Sequence, residues 1–316
     1  MTKMPPMDFS AVQTTDLEAR HSKVNAADFA RPLKRGASMA EFFEGLPNIL
    51  AAAELREAAT LVAGAVNLGR PVILAMGGHV IKVGLGPLII DLMEKGVISG
   101  LAANGSVMVH DSEAALVGAT SEDVAATLGS GEFGVTGRTG EIINRAAKLA
   151  AQDGTGLGFQ LGAELLNLNP PYLDLSVVAA AARLKMPMTV HAAIGTDVYN
   201  IHPDADGASL GAATMNDFKV FCWMVSNLEG GIFINLGSAV IMPEVFLKAL
   251  TVTRNLGHKV DRITTINMDF IRHYRPTVNV VNRPTQNEGG RGFYFVGHHE
   301  LMFPLLMSLV LEKMGD

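Results

Sequence analysis

Cysteine occurs once in 316 residues, at Cys222, so no disulfide can close within the chain. That cysteine sits in the apolar run from Val220 to Val225 and reads as a packing residue. Charge is also scarce, at 18% of residues, and nearly balanced: 25 basic side chains against 31 acidic ones leave a net −6. Nothing in that balance suggests a nucleic-acid partner. Long apolar runs are missing too. The longest uncharged stretches, Gly96–His110 and Gly230–Pro243, are interrupted by glycine and fall short of the ~18 residues a membrane-spanning helix needs. There is no glycine triplet period, no heptad and no P-loop, and the first thirty residues contain no apolar segment of the kind that opens a secretory signal. The 48% apolar content rules out a disordered chain. The expectation is a cytoplasmic enzyme acting on a small molecule, with neither nucleic acid nor membrane as partner.

One pattern repeats along the chain. Short apolar runs end in small or polar residues and then give way to helix-forming sequence. Val72–Met76 leads into Gly77-Gly78-His79, and Ser99–Ala103 into Asn104-Gly105-Ser106. Met188–Ala193 leads into Gly195-Thr196-Asp197, and Gly231–Leu236 into Gly237-Ser238. Arg262–Ile266 leads into Asn267-Met268-Asp269, and Phe293–Val296 into Gly297-His298-His299-Glu300. Six apolar strands alternating with helices predict a three-layer α/β/α fold around a mostly parallel six-stranded sheet. In such folds ligands bind beyond the carboxyl ends of the strands, where these polar endings fall. Ser38 to Glu41 has capping-box spacing, residues 48–68 read as a helix, and residues 130–171 read as one helix, Glu141–Gln152, flanked by loops. Residues 1–45 form an irregular arm, and residues 46–316 a single domain.

Several endings carry reactive side chains. His79 follows the first glycine pair. His110 and Asp111 read as a base with its orienting partner, as metal ligands, or as a solvated helix start. The segment His191–Gly211 holds His202 and three aspartates. It suits recognition of a ribose or amine through Asp197 and Asp206, or a metal bound by His191, Asp197, His202 and Asp204. Of the adjacent His298 and His299, at most one should reach a site. Arg272, Arg275, Arg283 and Arg291 crowd a segment with no lysine and one acid, Glu288. Arginine suits bidentate capture of carboxylate or phosphate, while the bland reading is a solvated basic loop.

Taken in order, these segments resemble deoxyhypusine synthase. The likeness runs from about residue 70 to the C-terminus. It rests on VILAMGGHVIKVGLGPLIIDLMEKG, on Asn104-Gly105-Ser106 with acids downstream to Glu113, and on LGSGEFG (Leu128–Gly134). It continues through PMTVHAAIGTDVYNIHPDADGASLG, GGIFINLGSAVIMPEVFLKAL and GHHELMFPLL. The resemblance implies a Rossmann-like NAD-binding fold and a homotetramer, a dimer of dimers, with sites shared across an interface. It also implies NAD-dependent dehydrogenation of spermidine followed by aminobutyl transfer through an enzyme imine. On this basis Gly77, Gly78, Asn104, Gly105, Ser106, Asp206, Gly237, Ser238, Asp269 and His298 are expected around the cofactor. His79, His110, Asp111 and His202 are the candidate acid–base groups, and Arg272, Arg275, Arg283 and Glu244 the candidate substrate contacts. The family's imine-forming lysine corresponds to Asn279–Thr285, which has none, and arginine cannot form a Schiff base. Four arginines where the family places acids would repel a polycation. The expectation is therefore NAD-dependent chemistry on an amine or anionic substrate through an altered substrate site. The full spermidine reaction is the alternative, and a metal-dependent hydrolase or lyase a further one.

Overall fold

The structure, a computed structural model, describes residues 4–287 and 289–314. The chain divides into two compact units, one ending at Ala53 and the other beginning at Glu54. The first unit contains α1 (Met39–Gly45), which starts where the capping box places it: Ser38 Oγ accepts from Glu41 N at 3.2 Å, and Glu41 accepts from Ser38 N at 2.8 Å. Ahead of α1 the backbone is largely irregular and exposed. The helix α2 (Leu50–Asn67) covers the run predicted over 48–68.

The second unit is a three-layer α/β fold. Its strands are β1 (Val72–Met76), β2 (Gly100–Asn104), β3 (Met188–His191), β4 (Ile232–Leu236), β5 (Thr264–Asp269) and β6 (Arg291–Val296). Every pairing is parallel, in the order β3-β2-β1-β4-β5-β6. All residues of β1, β4 and β5 are buried, as expected of a parallel sheet covered on both faces. Between β1 and β2 lie α3 (Gly78–Lys82) and α4 (Gly86–Glu94). Between β2 and β3 run α5 (Gly105–Val117), α6 (Val124–Thr127), α7 (Gly137–Asp153), α8 (Leu157–Leu168) and α9 (Val177–Arg183). The helix α10 (Gly207–Ser226) precedes β4 and α11 (Ile241–Asn255) follows it, α12 (Tyr274–Pro276) follows β5, and α13 (His299–Lys313) follows β6.

Two sequence readings are corrected. Residues 130–171 hold two helices rather than one, because the left-handed Gly154 ends α7 and the chain re-enters helix at Leu157. The fifth strand does not stop at Ile266. Asn267, Met268 and Asp269 continue it in register with Tyr294, Phe295 and Val296. A turn-former with a fully paired backbone is tolerated in a central strand, because tertiary pairing outweighs local propensity.

Phe233 of β4 stacks on Phe246 of α11, with centroids 3.7 Å apart, in the core cluster that includes Phe221 and Val280. At the sheet's β3 edge, Asp217 of α10 is buried. It accepts from Val190 N at 2.9 Å and Gly158 N at 3.0 Å, tying β3 to α8. Burial pushes its pKa up to about 7, against the pull of those amides. With the folded pKa raised, the folded protein holds a proton that the unfolded chain releases between about pH 4 and 7. Stability should therefore fall as pH rises through that window, by a few kcal/mol at about 1.4 kcal/mol per pKa unit. Denaturation midpoints compared across the window for the wild type and Asp217→Asn check this. Identical pH slopes in the two proteins would remove Asp217 as the cause.

Candidate active site at the strand ends

Because all six strands are parallel, their carboxyl ends share one edge, and the strand order reverses between β1 and β4. In open α/β sheets such a reversal opens the ligand crevice. The turns along this edge are laced together. Gly77 N donates to Leu236 O at 3.0 Å, Gly237 N to Met268 O at 3.0 Å, and Gly297 N to Asp269 O at 2.9 Å. These glycines are sterically required. A Cβ on Gly77 would overlap the Gly237 carbonyl oxygen, and one on Gly237, whose φ is +67°, would sit 2.7 Å from His299 Cε1.

Behind the turns lies a buried polar group. His299 is 1% exposed, and neither ring nitrogen has a hydrogen-bond partner. Its Nε2 is 3.7 Å from Asp269 Oδ1. Desolvation lowers the His299 pKa, partly opposed by Asp269. The exposed His79 and half-exposed Phe270 pack against it, the three ring centroids lying 5.5–6.0 Å apart. Next to them Asn235 Nδ2 donates to Asn267 Oδ1 at 2.6 Å and to Ser238 O at 2.9 Å, leaving Asn235 Oδ1 and Asn267 Nδ2 unpartnered. Ser238 Oγ accepts from Met242 N at 3.1 Å, at the start of α11.

A second region lies past β2 and β3. Here a cavity of about 160 Å³ is walled by Lys82, His110, Glu113, Asp197, Tyr199 and His202, among others. Ser106 Oγ donates to Asn104 Oδ1 at 2.8 Å in the turn that opens α5. The Asp197 carboxylate covers Gly105, where any Cβ would overlap it, and accepts from Tyr199 Oη at 3.0 Å. Desolvation raises the pKa of Asp197. His110 Nδ1 lies 2.8 Å from Thr120 Oγ1, which donates to Glu113 Oε2 at 2.5 Å. The two regions touch at Gly78, whose Cβ would meet Ser106 Oγ at 2.5 Å and His110 Cδ2 at 3.0 Å.

The expected residues therefore separate. Gly77, Gly78, His79, Gly237, Ser238 and Asp269 gather at the strand reversal, and Asn104, Gly105, Ser106, His110 and His202 at the second region. Asp111 goes elsewhere. It is fully buried and accepts from Ser176 Oγ at 2.5 Å, Val177 N at 2.7 Å and Val178 N at 3.3 Å, so it caps α9 and does not orient His110. Helix geometry explains the miss, since residues i and i+1 do not face each other whereas i and i+3 do. The partner of His110 on its own helix is Glu113. Asp206 uses its carboxylate on Ala208 N, Ser209 N and Ser209 Oγ to cap α10. Gly207 to Gly211 reads G-x-S-x-G, but Ser209 lies in the first turn of α10 after that cap, with no strand leading into it. His298 is an exposed helix cap, and its neighbour His299 is the one turned inward.

The arginines also disperse. Arg272 lies over the Tyr294 ring at 4.3 Å, close to the strand-end edge. Arg275 is 3.3 Å from Glu244, which also engages Lys248 and Asn279. Arg283 donates to Asn279 at 2.9 Å. Arg291 opens β6 at the opposite edge of the sheet and pairs bidentately with Glu57 at 2.7 and 2.8 Å. Glu288 lies outside the described residues. The four residues weighed for a metal do not converge. Among the described residues no group of three or more His, Cys, Asp or Glu side chains is placed to hold an ion. Burial holds the His191 pKa down at about 3, its ring packed edge-on to Phe221. Among the described residues no helix is long and apolar enough to cross a membrane.

No protein-family model matches the sequence, and no curated protein is similar enough to serve as a relative. Solved structures share the fold. ArgZ, an arginine dihydrolase from the ornithine–ammonia cycle in cyanobacteria, is similar over 84% of this chain and 33% of its own, at 15% identity and a TM-score of 0.51. AgrE, in a ternary complex with ornithine and NAD+, is similar over 83% of this chain and 32% of its own, at 15% identity and a TM-score of 0.49. A putative deoxyhypusine synthase from Entamoeba histolytica covers 88% of this chain and 94% of its own, at 12% identity and a TM-score of 0.48. The chain spans about a third of the length of the first two proteins. At these identities the finding is one of fold: the chain has the α/β architecture of ArgZ.

Proposed function

We propose that the protein is an NAD-binding enzyme of the deoxyhypusine synthase-like type, carrying out NAD-dependent dehydrogenation or group transfer on a small amine or anionic substrate. The observation behind this reading is the set of orphaned polar atoms at the strand reversal: both nitrogens of His299, Asn235 Oδ1 and Asn267 Nδ2. Leaving such an atom unpaired costs about 1–3 kcal/mol, and a ligand or bound water is the ordinary reason to keep it. These residues fit the polar end of a dinucleotide lying across the crevice between β1 and β4. Gly77, Gly78 and Gly237 let the turns pack closely at this edge, with Ser238, Asp269 and His299 buried directly behind them. Asn104, Gly105 and Ser106 serve the half beyond β2. When bound, NAD supplies the hydride acceptor. The chain's own residues bind it, exclude water and hold protons at His79 and His110. Arg272 is the arginine at this edge that would meet an anionic substrate group. Cytoplasmic location and a homotetramer of paired dimers belong to the same proposal.

Titration calorimetry with NAD tests the reading. Saturable binding with a dissociation constant below 1 mM is the expected result, and no heat at millimolar cofactor would overturn it. One observation favours the fuller spermidine reaction as a second reading. Lys82, an exposed primary amine on the cavity wall, is available to form an imine that Asn279–Thr285 cannot. Release of 1,3-diaminopropane from spermidine and NAD, lost in Lys82→Arg, would establish it.

A further inference from the structure

We infer that His110 is held as the rarer neutral tautomer, with the proton on Nδ1, so that Nε2 presents an unprotonated lone pair to the cavity past β2 as a general base. Thr120 and Glu113 are the positioning residues. The argument counts protons. Thr120 Oγ1 carries a single hydrogen and sits 2.5 Å from Glu113 Oε2. An ionised carboxylate only accepts hydrogen bonds, so that hydrogen points at Glu113. Burial raises the Glu113 pKa, but the Thr120 hydroxyl and the neighbouring His110 outweigh it and bring the pKa below the ordinary value, which keeps it ionised. With its hydrogen committed, Thr120 can only accept from the atom on its other side, His110 Nδ1 at 2.8 Å. Nδ1 must therefore be the donor, and in a neutral imidazole Nε2 is then the acceptor.

Local sequence builds this arrangement. His110 and Glu113 share one face of α5 at i,i+3 spacing. The helix ends at Gly118 in the left-handed conformation, φ +69°, and a Cβ there would press 2.9 Å from the Tyr172 ring. That tight reversal, followed by Ser121 at φ +70°, folds the chain back so that Thr120 reaches between the two side chains. The other edge of the His110 ring packs towards α3, its Cδ2 lying 3.0 Å from where a Cβ on Gly78 would stand, and His110 lines the cavity. At about 160 Å³ the cavity is smaller than the ~300–1,000 Å³ typical of whole-ligand pockets, so it suits a small substrate or the reacting end of one. Nε2 would take a proton from an N–H or O–H of that group. The imidazolium so formed keeps Nδ1–H on Thr120, and the negative charge of Glu113 stabilises it through the threonine hydroxyl without itself being protonated. This role lies at the site proposed above but does not depend on NAD binding there.

The test is nitrogen-15 NMR of the full-length protein labelled at histidine, with no cofactor added and His110 assigned by its absence in His110→Asn. The expected spectrum at neutral pH shows a protonated Nδ1 and a pyridine-type Nε2 for His110. It should be retained in Thr120→Ser and shift towards the commoner Nε2–H form in Thr120→Val. An Nε2–H tautomer in the wild type, or the same tautomer in Thr120→Val, would overturn the inference whatever NAD does. Once turnover is measured, Thr120→Val should lower kcat by roughly 10- to 100-fold, part of the ~10²–10⁴-fold that a positioned general base contributes. KM should stay unchanged, and Thr120→Ser should restore the rate.

Discussion

Asp111→Ala should lower the unfolding free energy by about 2–4 kcal/mol, because the residue is fully buried and its carboxylate is the acceptor for buried donors. Its carboxylate accepts from Ser176 Oγ and from the backbone N–H groups of Val177 and Val178, the first turn of α9. Alanine would leave these donors without their acceptor inside the protein. Ser176 Oγ still accepts from Ala179 N, so the helix keeps half of its cap. Part of the loss is offset because the carboxylate is itself costly to bury, as its pKa, pushed up to about 6 by desolvation, records. Urea denaturation measures the difference. A change below about 1 kcal/mol, the size of an ordinary surface substitution, would mean that α9 finds another acceptor. NAD affinity should be unchanged in whatever fraction stays folded, which separates Asp111 from the site residues on the same helix.

Gly77→Ala should cost both stability and cofactor affinity. The backbone at Gly77 has φ −99°, which any residue adopts, so the effect is steric. The added methyl would run into the Gly237 carbonyl, and behind Gly237 stands the His299 ring. Backbone atoms of two strand ends cannot swing aside as a flexible side chain can. Overpacking of this kind costs about 1–3 kcal/mol. Because the displacement falls where the strand order reverses, NAD binding should weaken at least tenfold. Gly129→Ala is the control: a Cβ there meets nothing within 4 Å and its φ is not positive, so it should stay within about 0.5 kcal/mol of the wild type. Equal behaviour of the two variants in thermal melts and calorimetry would show that the two turns are not a packed unit.

The alternation of apolar runs with helical segments is enough to place all six strands, because strands covered on both faces read as near-continuous apolar runs. The same reading located the polar endings of β1, β2 and β4, since glycine is needed wherever backbones approach this closely. Chain adjacency does not stand for spatial adjacency at His110: Asp111 turns to the start of α9, and the i,i+3 relation to Glu113 is the signal that the sequence holds. Asn235 lies inside an apolar run and Asn267 reads as part of a polar turn, and only the β4–β5 register brings the two together. Thr120 was missed because it stands in a loop, and only the reversal at Gly118 carries it back.

Local sequence alone thus determined the strands, the direction of the sheet and the edge on which a site must lie, because burial and turn chemistry act over a few residues. Tertiary structure decided which of the remaining polar groups are consumed by folding and which stay free. Asp206 caps its own helix locally, whereas Asp111 is taken by the distant start of α9 and Arg291 by an ion pair with Glu57. His299, Asn235 and Asn267 keep unpaired atoms where the ends of β4, β5 and β6 meet.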